Sequence, residues 1–418
     1  MYINLSESEK KALLIKESES LENYKSKGLK LDMSRGKPCK EQLDLSMGLL
    51  DVLNSSSSLN KAQDYRNYGI IDGISELKDI FCTLLEVEQS ELIICGNSSL
   101  NIMYDTLQKA MQFGILGNKP LNQQGSIKWL CPVPGYDRHF AITEAFGIEM
   151  INVPMNSDGP DMDIIEEKIK DPSVKGIWCV PKYSNPQGIV YSDSVVKRLA
   201  KLKPAQSDFR IYWDNAYMIH SIVDDDVKLL NILKEAKKFG NEDMIYIFGS
   251  TSKITFAGGG VAFIASSVKN ISSLKEKMSI QTIGYDKINQ YAHFLYFKKA
   301  NNILEHMKKH AAIIRPKFEA VLEILKTELA STGIANWNIP QGGYFISCDL
   351  FKNTAKRTIE LAKSAGVIFT PAGSTFPYMQ DPNDSNVRIA PTLPPISDLP
   401  IAMKVFCTAA KIAYLEQS

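Results

Sequence analysis

Arginine is scarce in this chain. Of 48 basic side chains in 418 residues only eight are arginines: Arg35, Arg66, Arg138, Arg198, Arg210, Arg315, Arg357 and Arg388. The guanidinium is the group that grips a carboxylate or phosphate with two parallel hydrogen bonds, so planar anion clamps have few candidates here. Surplus charge is lacking too. Lys plus Arg (48) and Asp plus Glu (47) leave a net charge of +1, which argues against a generic polyanion binder. The seven cysteines contain no Cys-x-x-Cys pair. Several sit in apolar runs and read as reduced core thiols of a cytoplasmic protein, not as disulfides or a metal site. Only five histidines occur. His306 and His310 have helical spacing, but the Glu that zinc hydrolases place after the first His is absent, so the pair reads as a solvated helix face and no metal is expected. No apolar run approaches the about 20 residues that span a bilayer. The opening MYINLSESEKKALL lacks a basic-then-apolar signal pattern.

What is present is ordinary for a soluble enzyme-sized protein: 44% apolar and 23% charged residues. A helix is expected from Ser6 or Ser8 to about residue 27, and another within LDLSMGLLDVL. Beyond residue 70, seven short apolar runs alternate with helical stretches: 92–95, 127–133, 147–155, 176–182, 209–217, 244–250 and 260–266. That alternation predicts an α/β fold with a mostly parallel seven-stranded sheet between helices. Near-continuous apolar strands imply burial on both faces. Residues 287–330 read as helical with no break before Pro316 and lead to a smaller α+β region. The expected division is a large domain over 50–300, with 1–49 and 301–418 forming a small domain and N-terminal arm.

In a doubly wound sheet, ligands sit beyond the carboxyl ends of the strands. The polar residues following each run are therefore informative. They are Gly96-Asn97-Ser98-Ser99 opening a helix, Pro134-Gly135-Tyr136, Asn185-Pro186-Gln187-Gly188, Asp214-Asn215-Ala216-Tyr217 and Ser250-Thr251-Ser252-Lys253. Singly, each has a plain structural reading: an N-cap, a turn, a strand-end carboxylate, a solvated lysine. Together they place Asn185, Asp214 and Lys253 on one sheet edge. Pyridoxal phosphate needs such a set: a lysine, a carboxylate for the pyridine nitrogen, Tyr and Asn for the phenolic oxygen, and a helix N-terminus for the phosphate.

With Asn67-Tyr68-Gly69 upstream and Val387-Arg388-Ile389 downstream, these motifs follow one another as in fold-type-I pyridoxal-phosphate aminotransferases, and the chain resembles that family over nearly its whole length. Ser34-Arg35-Gly36-Lys37-Pro38 and the turn from Thr251 to Ala262 resemble more narrowly the subgroup Ic (MocR-like) bacterial aspartate aminotransferases. The resemblance implies that Lys253 forms the Schiff base and shuttles the proton. Asp214 would pair with the pyridinium, Tyr217 and Asn185 would bind the phenolic oxygen, and Tyr136 would stack on the ring. Ser98, Ser99, Ser250 and Ser252 would hold the phosphate, with Tyr68 supplied by the neighbouring subunit of a homodimer. Arg388 would clamp the substrate α-carboxylate, with Asn185 beside it. The implied reaction is aspartate:2-oxoglutarate transamination, ping-pong through pyridoxamine phosphate.

The chain also departs from better-known branches. They place an Arg on the phosphate eight residues after the lysine, where this chain has Val261. They also take a distal-carboxylate Arg from the partner subunit about thirty residues on, and here no Arg lies between Arg210 and Arg315. Arg35, Lys37 and Arg138 are the alternative clamps. A β-lyase, decarboxylase or synthase, or a transaminase of another amino acid, would use the same cofactor motifs. A MocR-type regulatory domain is disfavoured by the short segment before Ser98 and the lack of basic surplus.

Overall fold

The computed structural model describes residues 1–60 and 63–417. Thirteen strands occur among them: β1 (Leu31–Asp32), β2 (Leu92–Ile94), β3 (Lys128–Val133), β4 (Glu149–Asn156), β5 (Gly159–Pro160), β6 (Val174–Cys179), β7 (Arg210–Asp214), β8 (Ile245–Ser250), β9 (Ala262–Ser266), β10 (Ala335–Trp337), β11 (Ile346–Leu350), β12 (Val367–Ile368) and β13 (Asn386–Ile389). The large sheet runs β2-β9-β8-β7-β6-β3-β4-β5. The seven predicted apolar runs are seven of its strands. The eighth, β5, is a two-residue antiparallel hairpin partner of β4. Only β9 and β5 run against their neighbours, so the sheet is mostly parallel.

Every residue of β6 and β7 is buried, and the period-2 alternation of a strand sorts them onto two faces. Ile177, Cys179, Ile211, Trp213, Ile245 and Ile247 pack into one core. Trp178, Tyr212, Tyr246 and Phe248 pack into another, with Trp129. The aromatic face is knitted edge-to-face, Tyr212 lying 4.8 Å from Trp178 and 5.1 Å from Trp129. Gly176 is required there, because a Cβ would stand 2.3 Å from the Trp129 ring.

A third core lies beyond the sheet. The helix Leu399–Leu415, buried along almost its whole length, packs on Glu7–Ser26, Ala300–Leu329 and Ala355–Ser364. Antiparallel β10-β11-β13 completes it. The N-terminal segment joins through the parallel pair β1–β12, with Leu31 opposite Val367. The first helix begins as expected: Ser6 caps it in a reciprocal pair with Glu9.

Two expectations are corrected. The helical stretch is not continuous from 287: Lys287–Phe297 ends at Lys298, whose φ is 62°, and a second helix, Ala300–Leu329, carries Pro316 inside it. Its first turns (Ala300, Ile303, Met307) enter the sheet core, and its later ones (Phe318, Val321, Leu325) the third core. His306 and His310 do not form a solvated face. They are 6% and 1% exposed, because residues 42–46 and the turn after Lys253 cover them. Their Nε2 atoms lie 3.1 Å apart, His306 Nε2 is 3.0 Å from the Ile254 carbonyl, and Gln42 Nε2 donates to His310 Nδ1 at 3.0 Å.

Candidate active site

The carboxyl ends of β3, β6, β7 and β8 converge on a cleft of about 880 Å³. Lys253 and Arg388 line it, as do Tyr136, Asn185, Tyr217 and the three alternative clamps Arg35, Lys37 and Arg138. Turns after the strands deliver these side chains. The bonds Val133–Pro134 and Asn185–Pro186 are cis, just before Tyr136 and just after Asn185. Arg388 arrives from β13, opposite Ser347 of β11.

Asp214 ends β7 and is 3% exposed. Its Oδ2 lies 3.0 Å from His139 Nε2, while its Oδ1 is buried with no hydrogen-bond partner among the described residues. A buried carboxylate oxygen is costly unless something donates to it. His139 went unread in the sequence. It sits three residues after Tyr136 on the helix Asp137–Ala145, stacked on Trp178 at 4.5 Å and 12°. The i, i+3 spacing on that helix was the available signal.

Lys253 keeps an opening to the cleft while protein packs around its ammonium, which lies 5.1 Å from the Tyr217 ring centroid and 5.8 Å from that of Tyr344. Lost hydration lowers its pKa, and the Asp214 carboxylate opposes the shift. Burial raises the pKa of Tyr217 and Tyr136, keeping both phenols protonated. His220 is 2% exposed. Burial first, then the charge of Lys253, holds its pKa down to about 3, so it is neutral. Behind the lysine, Gln42 Nε2 also donates to Tyr344 Oη at 3.0 Å.

The serines gather at one end of the site. Ser98 is the N-cap residue of Ser99–Phe113, yet its hydroxyl makes no capping bond and is left for another acceptor. Ser252 Oγ donates to the Asn97 carbonyl at 2.7 Å and receives Ser250 Oγ at 3.1 Å. Val261 is buried at 2% exposure, its N–H bonded to Thr251 Oγ1. A phosphate there would meet hydroxyls, main-chain N–H groups and the helix dipole. Tyr68 is not brought to this cleft. It is 80% exposed, on a segment touching Gly284.

Arg388 Nη1 donates to Asp137 Oδ1 at 2.8 Å and to Asn185 Oδ1 at 3.3 Å, and its plane lies 4.8 Å from the Phe345 ring. Arg35, Lys37 and Arg138 are exposed and make no ion pair among the described residues. The donor set fits pyridoxal phosphate. The unpartnered Asp214 Oδ1 asks for the N–H of a protonated pyridine, an unused hydroxyl stands at a helix N-terminus, and a dehydrated lysine lies between. Fold and site together define a fold-type-I pyridoxal-phosphate enzyme.

Comparison with known proteins narrows the class. A family model described as aspartate amino-transferase matches residues 5–418. An aspartate aminotransferase of Corynebacterium glutamicum is 46% identical over 398 residues, 94% of this chain and 92% of that protein. The structure of an aspartate transaminase from the same species superposes with a TM-score of 0.97 at 44% identity, covering 99% of this chain and 98% of that one. LysN of Thermus thermophilus, an α-aminoadipate aminotransferase solved with a phosphopyridoxyl-leucine adduct, shares the fold at TM-score 0.74 and 19% identity, covering 93% of each chain. The chain belongs to the aspartate aminotransferase family, and it is a transaminase. No helix among the described residues is long and apolar enough to cross a membrane.

Proposed function

We propose that this aminotransferase moves the amino group of an acidic L-amino acid, aspartate foremost, to 2-oxoglutarate. The observation that carries the reading is the charge of the cleft. Arg388 is buried in its lining, and exposed at its mouth are Arg35, Lys37, Arg138 and Lys363, which make no ion pair among the described residues, with Glu144 and Glu360. A substrate with two carboxylates satisfies both ends, and one with a single carboxylate leaves the mouth unused.

In this reading Lys253 is the lysine that holds the cofactor and, through Nζ, moves the proton to and from the substrate Cα. Bound there, pyridoxal phosphate supplies an electron sink for the pair left when that proton departs. Asp214, oriented by His139, keeps the pyridine nitrogen protonated. Tyr217 and Asn185 donate to the phenolic oxygen, and Tyr136 covers the ring. Ser98, Ser99, Ser250 and Ser252 hold the phosphate. Arg388 and Asn185 orient the α-carboxylate.

A homodimer completes the proposal, with Tyr68 serving the partner's phosphate. Support comes from the exposure of Tyr68 itself and of Ile283, next to the Gly69–Gly284 contact, which a monomer would leave in water. The large and small domains proposed are 50–300 and 1–49 with 301–418, in a cytoplasmic protein.

The test is Lys253→Ala. Wild type supplied with aspartate and 2-oxoglutarate is expected to yield oxaloacetate and glutamate. The variant should lose the visible absorbance of the bound cofactor and at least about 10³-fold in turnover. If both persist in the variant, the assignment is wrong.

A further inference from the structure

The α-carboxylate clamp is already holding a carboxylate of this chain. Asp137 Oδ1 sits 2.8 Å from Arg388 Nη1. A planar guanidinium offers a carboxylate two adjacent N–H donors along one edge. Arg388 has two such edges. Nε is buried and has no hydrogen-bond partner among the described residues. The other edge is formed by Nη1 and Nη2. On it Nη2 has only a long contact, 3.5 Å to Thr370 Oγ1, whereas Nη1 carries Asp137.

The two members of the pair differ in freedom. Arg388 is fixed: its side chain is 8% exposed, lies against the Phe345 ring and rises from β13, which pairs with β11 in the small sheet. Asp137 is 31% exposed and begins the helix Asp137–Ala145. There the helix dipole stabilises a carboxylate even without Arg388, and Arg138 follows directly. Asp137 therefore has somewhere to go, and Arg388 does not.

We infer that Asp137 is an internal competitor for the substrate α-carboxylate: its charge already sits on Arg388 Nη1, and a carboxylate taking the Nη1–Nη2 edge must displace it. This rests on the proposed role of Arg388. Asp137 fills the clamp when no substrate is present and raises the concentration at which any amino or oxo acid occupies the site. Because every substrate of the reaction carries the α-carboxylate, the handicap is common to donors and acceptors.

The experiment measures binding of maleate, a dicarboxylate with no amino or oxo group, to the holoenzyme by calorimetry, together with steady-state kinetics. Asp137→Asn keeps the shape and removes the charge. It is expected to tighten maleate binding roughly five- to tenfold, the scale of one partly exposed charge-assisted contact. KM for aspartate and for 2-oxoglutarate should fall by that same factor, with kcat within about twofold of wild type. Asp137→Ala should tighten binding as well. Unchanged or weaker maleate binding, or a fall in kcat at constant KM, would overturn the inference and make Asp137 a positioning residue for Arg388. Arg388→Ala separates the two readings. If it leaves maleate binding at wild-type strength, the Arg388 assignment fails and the competition with it. If it weakens binding while Asp137→Asn does not tighten it, the competition alone fails.

Discussion

The floor and the mouth of the cleft treat charge in opposite ways. On the floor, Asp214 is buried against His139, protein packs around the Lys253 ammonium, and His220 and His310 are enclosed as neutral rings. At the mouth, Arg35, Lys37 and Arg138 stand exposed and make no ion pair among the described residues. Buried charge is expensive unless paired, so the floor is built for one occupant and leaves one orphaned oxygen, Asp214 Oδ1, for it. Exposed cations are cheap, and they leave the mouth free to accept carboxylates at different distances. The difference teaches that the cofactor is gripped by preorganisation and the substrate by attraction. Asp137 stands at the border, a mouth carboxylate placed on the clamp.

The mouth can be broken selectively. Replacing Arg35, Lys37 and Arg138 with Ala one at a time should, for the residue holding the distal carboxylate, raise KM for aspartate about 10- to 100-fold, the loss of a charge-assisted contact. KM for alanine should stay level, which steady-state kinetics on both donors will show. Equal losses on both would erase the distinction between mouth and floor.

A smaller effect sharpens the floor. His310 is held down to about pKa 4 and His220 to about 3, chiefly by burial, against about 6.5 in an unfolded chain. Below 6.5 the unfolded chain takes up protons that the folded one refuses. Stability should therefore be full above that pH and fall as pH drops toward 4 and then 3. Melting temperature between pH 7.5 and 5 should decline by on the order of a few degrees. His310→Gln should flatten that slope.

Much of this was legible in the sequence, and the failures share a cause. The seven apolar runs gave seven strands, and strand-end logic anticipated Asn185 and Lys253 on the lining of one cleft and Asp214 at the end of β7, because both signals are local. Missing were β5, two residues long, and the helix break at Lys298, whose left-handed backbone has no glycine to mark it. Helical spacing put His306 and His310 on one face but could not say what covers that face. The cover is Gln42 and Ser46, more than 250 positions away. His139 and Asp137 were missed likewise. Their partners lie 75 and 251 residues distant, and no local pattern records such pairings.

The central claim is that the cleft selects substrates with two carboxylates. The direct measurement adds single L-amino acids to the holoenzyme without acceptor and follows the loss of visible cofactor absorbance. Aspartate and glutamate should react at least about tenfold more efficiently than alanine, since only they engage the cations at the mouth. Equal efficiency for alanine would contradict the account.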